Sequence, residues 1–70
     1  MLTQKQYQVL ELLTERPYGI AELQELIPGI RNEVSELINR SIVAQQYNRF
    51  ALYHLTTPGL NLFKQIKRAV

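Results

Sequence analysis

Between Arg31 and Asn39 the sequence carries short or forked side chains that are well suited to hydrogen bonding. Arg31, Asn32, Ser35, Glu36 and Asn39 all occur within this stretch. A guanidinium group suits the paired acceptors of guanine, and a carboxamide suits the donor and acceptor of adenine. A serine hydroxyl can reach a base or a phosphate. The chemistry that these residue types support is the recognition of base edges or phosphates.

An amphipathic helix is needed to present these side chains together. Ile30, Val34, Leu37 and Ile38 follow the i, i+4, i+7, i+8 spacing of one apolar helix face, and the polar residues fall on the opposite face. We therefore predict a helix that continues to about Arg40.

The helix before it has a clear end. Pro28-Gly29 separates the predicted helix from a preceding apolar stripe, because both residues are poor in a helix interior. Two helices joined by a tight turn are typical of a helix-turn-helix motif. The preceding stripe, which we expect to face inwards, consists of Ile20, Leu23, Leu26 and Ile27.

Another helix is predicted at the start of the chain. Thr3 can cap it, and Gln6 can complete a capping box. Pro17 ends it, since proline disfavours the α region at the residue before. Tyr18-Gly19 then reads as a turn, in which Gly19 is free to take a positive φ.

A hairpin and a last helix complete the pattern. One strand is predicted from Ile42 to Tyr47 and a returning strand from Phe50 to Leu55, with Ala51, Tyr53 and Leu55 on one face and Asn48-Arg49 as the tip. Thr57-Pro58 opens the last helix as cap and first residue. The predicted fold is mainly α with a small β-hairpin, a winged helix-turn-helix in the order helix, helix, helix, strand, strand, helix. We expect residues 1–70 to form one domain.

Charge and composition narrow the function classes. The 70 residues have a net charge of +2, divided into −2 over residues 1–35 and +4 over residues 36–70. The basic half suits a polyanion bound on one side, although a solubilising charge mixture explains the balance equally well. Without cysteine or a signal pattern we expect a cytoplasmic protein, nucleoid-associated when bound to DNA.

Catalysis and metal binding are not expected from this sequence. The six carboxylates are all glutamates on predicted solvent faces, and His54 is a lone histidine beside Tyr53. The sequence has no phosphate-binding loop and no nucleophile motif. It also has no second histidine and no cysteine that could complete a metal site. We predict a non-enzyme without a cofactor or metal.

Further positions are candidates for contacts to the DNA backbone. Arg49 in the hairpin, together with Gln46 and Asn48, suits phosphate or the minor-groove edge. Arg40 at the end of the polar helix and Lys5 in the first helix are the other candidates. The alternative for the hairpin is an ordinary polar tip.

The last helix offers a candidate dimer interface. Its apolar residues spread over about half of the helix circumference, wider than the ~100° stripe that packing on one core needs. Leu62, Ile66 and Ala69 form one edge that can pack on a symmetric copy. The alternative is that this broad face simply covers the sheet and the first helix.

At this point the residue pattern resembles a known family. Ser41-Ile42-Val43 after the polar helix and the stretch YHLTTPG at residues 53–59 are similar to motifs of the winged-helix transcription regulators of bacteria, archaea and phages. The MarR and PadR groups look closest. Ser41 stands where that family usually has glycine, the wing is very short, and the extra helices used for dimerisation and ligand sensing are missing. The resemblance therefore implies a minimal regulator, of the kind that phages and plasmids encode, with no small-molecule effector.

These observations lead to one main hypothesis and two alternatives. We expect a sequence-specific, duplex-DNA-binding transcription regulator, a homodimeric repressor that acts sterically. Base readout would come from Arg31, Asn32, Ser35 and Asn39. Glu33 and Glu36 count against DNA, because carboxylates are repelled by phosphates unless they accept from cytosine. The alternatives are a winged helix that binds another protein and an excisionase-like recombination accessory factor.

Overall fold

The computed structural model describes residues 2–47 and 51–69, and the side chains of residues 2–46 and 52–67. Four helices surround a small antiparallel sheet. No helix in these described ranges is long and apolar enough to cross a membrane. The elements in chain order are α1 (Gln4–Leu13), β1 (Tyr18–Gly19), α2 (Ile20–Leu26), α3 (Arg31–Asn39), β2 (Val43–Tyr47), β3 (Ala51–Leu55) and α4 (Thr57–Ala69).

The start of α1 has the predicted capping box. The Thr3 hydroxyl accepts a hydrogen bond from the backbone N–H of Gln6 at 3.1 Å, and the Thr3 N–H donates to the Gln6 side chain at 3.0 Å. Two N–H groups that the helix leaves unpaired are satisfied in this way. The side chain of Gln6 is fully buried, so the capping box also joins the helix end to the core.

The sheet has one strand more than predicted. Tyr18–Gly19 is not a turn but strand β1, which pairs with β3 so that the strand order is β1-β3-β2. Gly19 has an extended backbone with φ −81°, so it does not use the positive φ that glycine allows. Pairing with β1 satisfies backbone groups of β3 that an isolated hairpin would leave exposed.

Positive φ angles occur instead on either side of α3. Gly29 has φ +78° in the turn between α2 and α3, and Ser41 has φ +60° just after α3. The Ser41 N–H donates to Ile38 O and the Ile42 N–H donates to Leu37 O, both at 3.0 Å. This pair of bonds is a Schellman motif, which ends α3 with a residue in the left-handed region.

The core lies where the apolar stripes of the helices meet the inner face of the sheet. Leu10 of α1, Leu23 of α2, and Ile30 and Leu37 at α3 are fully buried, as the spacing predicted. Leu26 is an exception: it was expected to face inwards, but its side chain is 57% exposed. The reason is that α2 ends at Leu26, and the extended backbone of the next residue turns Ile27 into the core instead.

The start of α4 differs from the prediction by one residue. Thr56, not Thr57, caps the helix, because its hydroxyl accepts a hydrogen bond from the Gly59 N–H at 3.0 Å. The same hydroxyl group donates to backbone carbonyls of the α3–β2 connection, at Ser41 (2.6 Å) and Ile42 (3.0 Å). Thr56 therefore ties the end of β3 and the start of α4 to the segment that follows α3.

Candidate nucleic-acid interface

The outer face of α3 presents the polar side chains that the sequence singled out. Arg31, Asn32, Ser35 and Asn39 are all exposed, while Val34 and Leu37 on the same helix are buried. At 100° per residue, the four exposed side chains fall within an arc of about 100°. The fold therefore brings the four candidate base-reading residues onto one open surface.

The two carboxylates of α3 lie outside this arc, and one of them has a structural partner. The hydroxyl of Thr3 donates a hydrogen bond to Glu33 Oε2 at 3.3 Å, so Glu33 faces the start of α1. Glu33 is also only partly exposed. Glu36 remains exposed, four residues before Arg40, a spacing that favours attraction between the two charges. The objection that glutamates oppose DNA binding is therefore weaker for Glu33 than for Glu36.

A cleft of about 260 Å³ opens beside the N-terminal half of α3. It brings together three of the candidate base-reading residues and Tyr53, which the sequence reasoning had not selected. Nothing local to its strand indicates that Tyr53 lies beside α3. The residues that line the cleft are Ile20, Arg31, Asn32, Val34, Ser35 and Tyr53.

Lys5 lies at the turn of the helix-turn-helix. Its ammonium group donates a hydrogen bond to the carbonyl of Pro28 at 3.3 Å, across from α1 to the α2–α3 connection. The side chain is exposed, and an ammonium group has further protons to donate. Lys5 thus both braces the turn and places a positive charge next to the start of α3.

Arg16 and Glu22 fix the start of α2. Arg16 Nη2 lies 2.7 Å from Glu22 Oε2, and the guanidinium carbon lies 3.8 Å from the centre of the Tyr18 ring. Glu22 also accepts a hydrogen bond from the Gly19 N–H, at 3.2 Å. The pKa of Glu22 is lowered mainly by the hydrogen bond from Arg16 and, to a smaller extent, by the one from Gly19. In return, the hydrogen bond to Glu22 raises the pKa of Arg16.

The wing is described in part. Gln46 is exposed on β2, opposite Leu52 of β3, so it lies on the hairpin surface as expected. Asn48 and Arg49, the other two predicted wing residues, lie outside the described residues. Arg40 is exposed at the C-terminal end of α3.

His54 is the remaining residue with metal-binding chemistry. His54 is partly buried, and its Nδ1 lies 3.1 Å from the carbonyl oxygen of Leu55. Within residues 2–47 and 51–69, no group of three histidine, cysteine, aspartate or glutamate side chains is placed to hold a metal ion. The lone histidine therefore has a local backbone partner rather than a cluster of ligands.

Leu62 and Ile66, two of the three predicted dimer-interface residues, are both partly exposed on α4. Among the described side chains, Leu62 packs against the core and Ile66 does not. Ala69 belongs to α4, but its side chain lies outside the described ones. On another side of α4, an apolar cleft of about 400 Å³ is lined by Thr14, Leu60, Phe63, Lys64 and Lys67.

Comparisons with known proteins identify the fold. No protein-family model matches the chain, and no curated protein matches it. The adhesin competence repressor (AdcR) of Streptococcus pyogenes is similar in structure, with a TM-score of 0.83 at 16% identity. A point mutant of ZitR from Lactococcus lactis has a TM-score of 0.84 at 20% identity.

Both similarities cover 97% of this chain, but only 56% of the AdcR chain and 52% of the ZitR chain. This chain thus spans about half the length of each. The closer relation to the MarR and PadR groups remains a prediction, and the expected lack of a small-molecule effector gains no support. At these identities the comparison concerns architecture alone, and it confirms the predicted winged helix-turn-helix fold.

Proposed function

We propose that the protein is a sequence-specific duplex-DNA-binding transcription repressor. The observation that carries the proposal is the exposed face of α3, where Arg31, Asn32, Ser35 and Asn39 share one arc that contains no carboxylate. The name of one structural neighbour, the adhesin competence repressor, supports the same class. A fold alone does not determine function, so the chemistry of this face is the main support.

In the proposed complex α3 lies in the major groove. Ser35 and Asn39 lie nearest the middle of the exposed arc and Asn32 lies at the edge opposite Arg31, and the carboxamide of either asparagine can bind adenine through two hydrogen bonds. Ser35 lies between them and Arg31. Arg31 stands at the edge of the arc nearest the sheet, from which its long side chain reaches a guanine.

Backbone contacts would hold this helix in register. Arg40 lies at the other end of α3, and Lys5 lies beside the turn that precedes it. The hairpin, through Gln46, Asn48 and Arg49, would add contacts to the flanking backbone or minor-groove edge. Contacts of this kind orient the protein without reading sequence.

Repression would be steric and would use a symmetric dimer. We place the dimer contact on α4, through Leu62, Ile66 and Ala69, since Ile66 leaves apolar surface exposed. A two-fold dimer presents two recognition helices about one DNA turn apart, ~34 Å, to a palindromic site. Occupation of that site would exclude polymerase.

Fluorescence anisotropy with labelled duplex DNA tests the proposal. We expect the wild type to bind random-sequence duplex weakly, with an affinity that falls as salt rises, and to bind a subset of genomic fragments far more tightly. Arg31→Ala should weaken binding to the tight fragments by a factor of about 5 to 150, which corresponds to the loss of about 1–3 kcal/mol of base recognition.

Lys64→Ala is the matched control, because it also removes one exposed positive charge but lies on α4. The dissociation constant of this variant for the tight fragments should stay within a few fold of the wild-type value. Absence of binding to any duplex at low salt would refute the DNA-binding function and leave a protein partner as the next target.

A further inference from the structure

The cleft beside α3 contains a polar group that the base-reading residues do not account for. Tyr53 lies in the central strand β3, with Tyr18 opposite it on one side and Gln45 on the other. Its ring packs against the hydrophobic core, and the residue also lines the cleft. A tyrosine in such a position has an apolar body in the core and a polar tip towards water.

The hydroxyl of Tyr53 is available to a ligand. Among the described residues, the side chain of Tyr53 makes no hydrogen bond, and the buried polar side-chain atom left without a partner is the Gln6 amide nitrogen rather than the Tyr53 hydroxyl. The hydroxyl is therefore in contact with solvent. At about 260 Å³, the cleft has room for a ligand group much larger than one water molecule, which takes up about 30 Å³.

The charges around the cleft favour an anion. Arg31 is the charged residue among those that line it, and no carboxylate is among them. Glu33, the carboxylate in the first turn of α3, is turned towards Thr3 on the other side of the helix. Ser35 adds a second hydroxyl group to the same cleft.

Position decides which part of DNA this cleft would meet. With the middle of the exposed arc of α3 in the major groove, the base edges lie in front of Ser35 and Asn39. Tyr53 belongs to the sheet, to the side of α3, where the sugar-phosphate backbone flanks the groove. A hydroxyl at this place meets phosphate oxygens rather than base edges.

We propose that Tyr53 is a further DNA-contacting residue, whose hydroxyl donates a hydrogen bond to a backbone phosphate seated at the cleft beside α3. This inference rests on the proposed DNA-binding function. The contact sets the depth and register of α3 in the groove, and it adds affinity to any duplex sequence.

Tyr53→Phe tests the contact because it keeps the aromatic ring and removes the hydroxyl alone. We expect the dissociation constant to rise by about ten-fold, the scale of a lost hydrogen bond to a charged acceptor, and by the same factor for tight and for random fragments. The salt dependence should not change, since a neutral donor displaces no counterion. Arg31→Ala should instead raise the dissociation constant for the tight fragments more than that for random fragments.

Tyr7→Phe is the matched control. Tyr7 stacks on Phe63 between α1 and α4, with ring centroids 5.5 Å apart. The Tyr7→Phe variant should therefore bind DNA with the same affinity as the wild type. Thermal unfolding of both variants checks that the fold is retained. If Tyr53→Phe binds with wild-type affinity while Arg31→Ala binds weakly, the Tyr53 contact is overturned. The DNA-binding function is then still supported. A wild type that binds no DNA would overturn both.

Discussion

The backbone of Gly59 lies directly against the carbonyl group of Ile42. A Cβ atom added at Gly59 would overlap Ile42 O and lie 3.1 Å from Ile42 Cγ2. The same carbonyl accepts hydrogen bonds from the N–H (3.1 Å) and the hydroxyl (3.0 Å) of Thr56, so it has little freedom to move away. The first turn of α4 can pack here because residue 59 has no side chain.

Gly59→Ala should therefore destabilise the protein by about 3 kcal/mol, the upper part of the usual range for overpacking, despite the better helix propensity of alanine. Urea unfolding followed by circular dichroism measures the change. Asn61→Ala, at an exposed position of the same helix, is the control and should alter the free energy of unfolding by no more than about 0.5 kcal/mol. Equal stability of the two variants would show that α4 shifts to accommodate the methyl group.

Ser41 adopts a conformation that suits glycine better. Its φ of +60° costs a residue with a Cβ roughly 1–2 kcal/mol, and its N–H and carbonyl groups are both used by the fold. Ser41→Gly should therefore raise the free energy of unfolding by about 1 kcal/mol, with part of the gain offset by the greater freedom of glycine in the unfolded chain. Ser35→Gly is the opposite case, because Ser35 lies within α3, where glycine is unfavourable. This change should lower the free energy of unfolding by about 0.5–1 kcal/mol. A loss of stability in Ser41→Gly would contradict this account.

The ion pair between Arg16 and Glu22 should make stability depend on pH. Because the pKa of Glu22 is lowered by its hydrogen bonds from Arg16 and Gly19, the carboxylate stabilises the folded state above its ordinary pKa of 4.5. That contribution should disappear as the pH falls through the lower pKa of the folded state. The effect should be small, since both groups are exposed to solvent.

Comparison of the wild type with Glu22→Gln measures this contribution. The wild type should be the more stable at neutral pH, and the difference should vanish once the pH is well below 4.5. NMR titration of the Glu22 carboxyl group reports its pKa directly. Glu25→Gln, an exposed change on the same helix, controls for the loss of one negative charge. A difference in stability that persists in acid would assign the effect to packing.

Ile66→Glu tests the proposed dimer contact. A charge at this partly exposed position should prevent two copies of α4 from packing, yet leave the core intact, since Ile66 is not among the residues packed against it. Sedimentation should change from a dimer to a monomer, and binding to a palindromic fragment should weaken by more than binding to random duplex.

Gln65→Glu, at the exposed neighbouring position, controls for added negative charge on α4 and should remain dimeric. A wild type that sediments as a monomer at all concentrations would exclude the α4 dimer. A dimer that survives Ile66→Glu would place the interface elsewhere.

Local signals predicted most of the helical architecture. The Thr3 capping box, the break at Pro28 and Gly29, and the spacing of Val34 and Leu37 all describe neighbours along one helix or turn. Such interactions span only a few residues, so their residue types are sufficient to indicate them. The hydrogen-bonding face of α3 follows from the same periodicity, because a helix that buries one stripe must expose the other.

Contacts between distant segments decided the rest. Tyr18 became a strand residue because Tyr53, far along the chain, supplies a pairing partner, and Glu33 faces the start of α1, where Thr3 donates a hydrogen bond to it. Likewise, Tyr53 came beside α3 only through the packing of the sheet on that helix. The sequence by itself determined the four helices, the hairpin and the side chains able to hydrogen-bond to a ligand. Only the tertiary structure decided which of them share a surface, since that depends on long-range packing that no local pattern encodes.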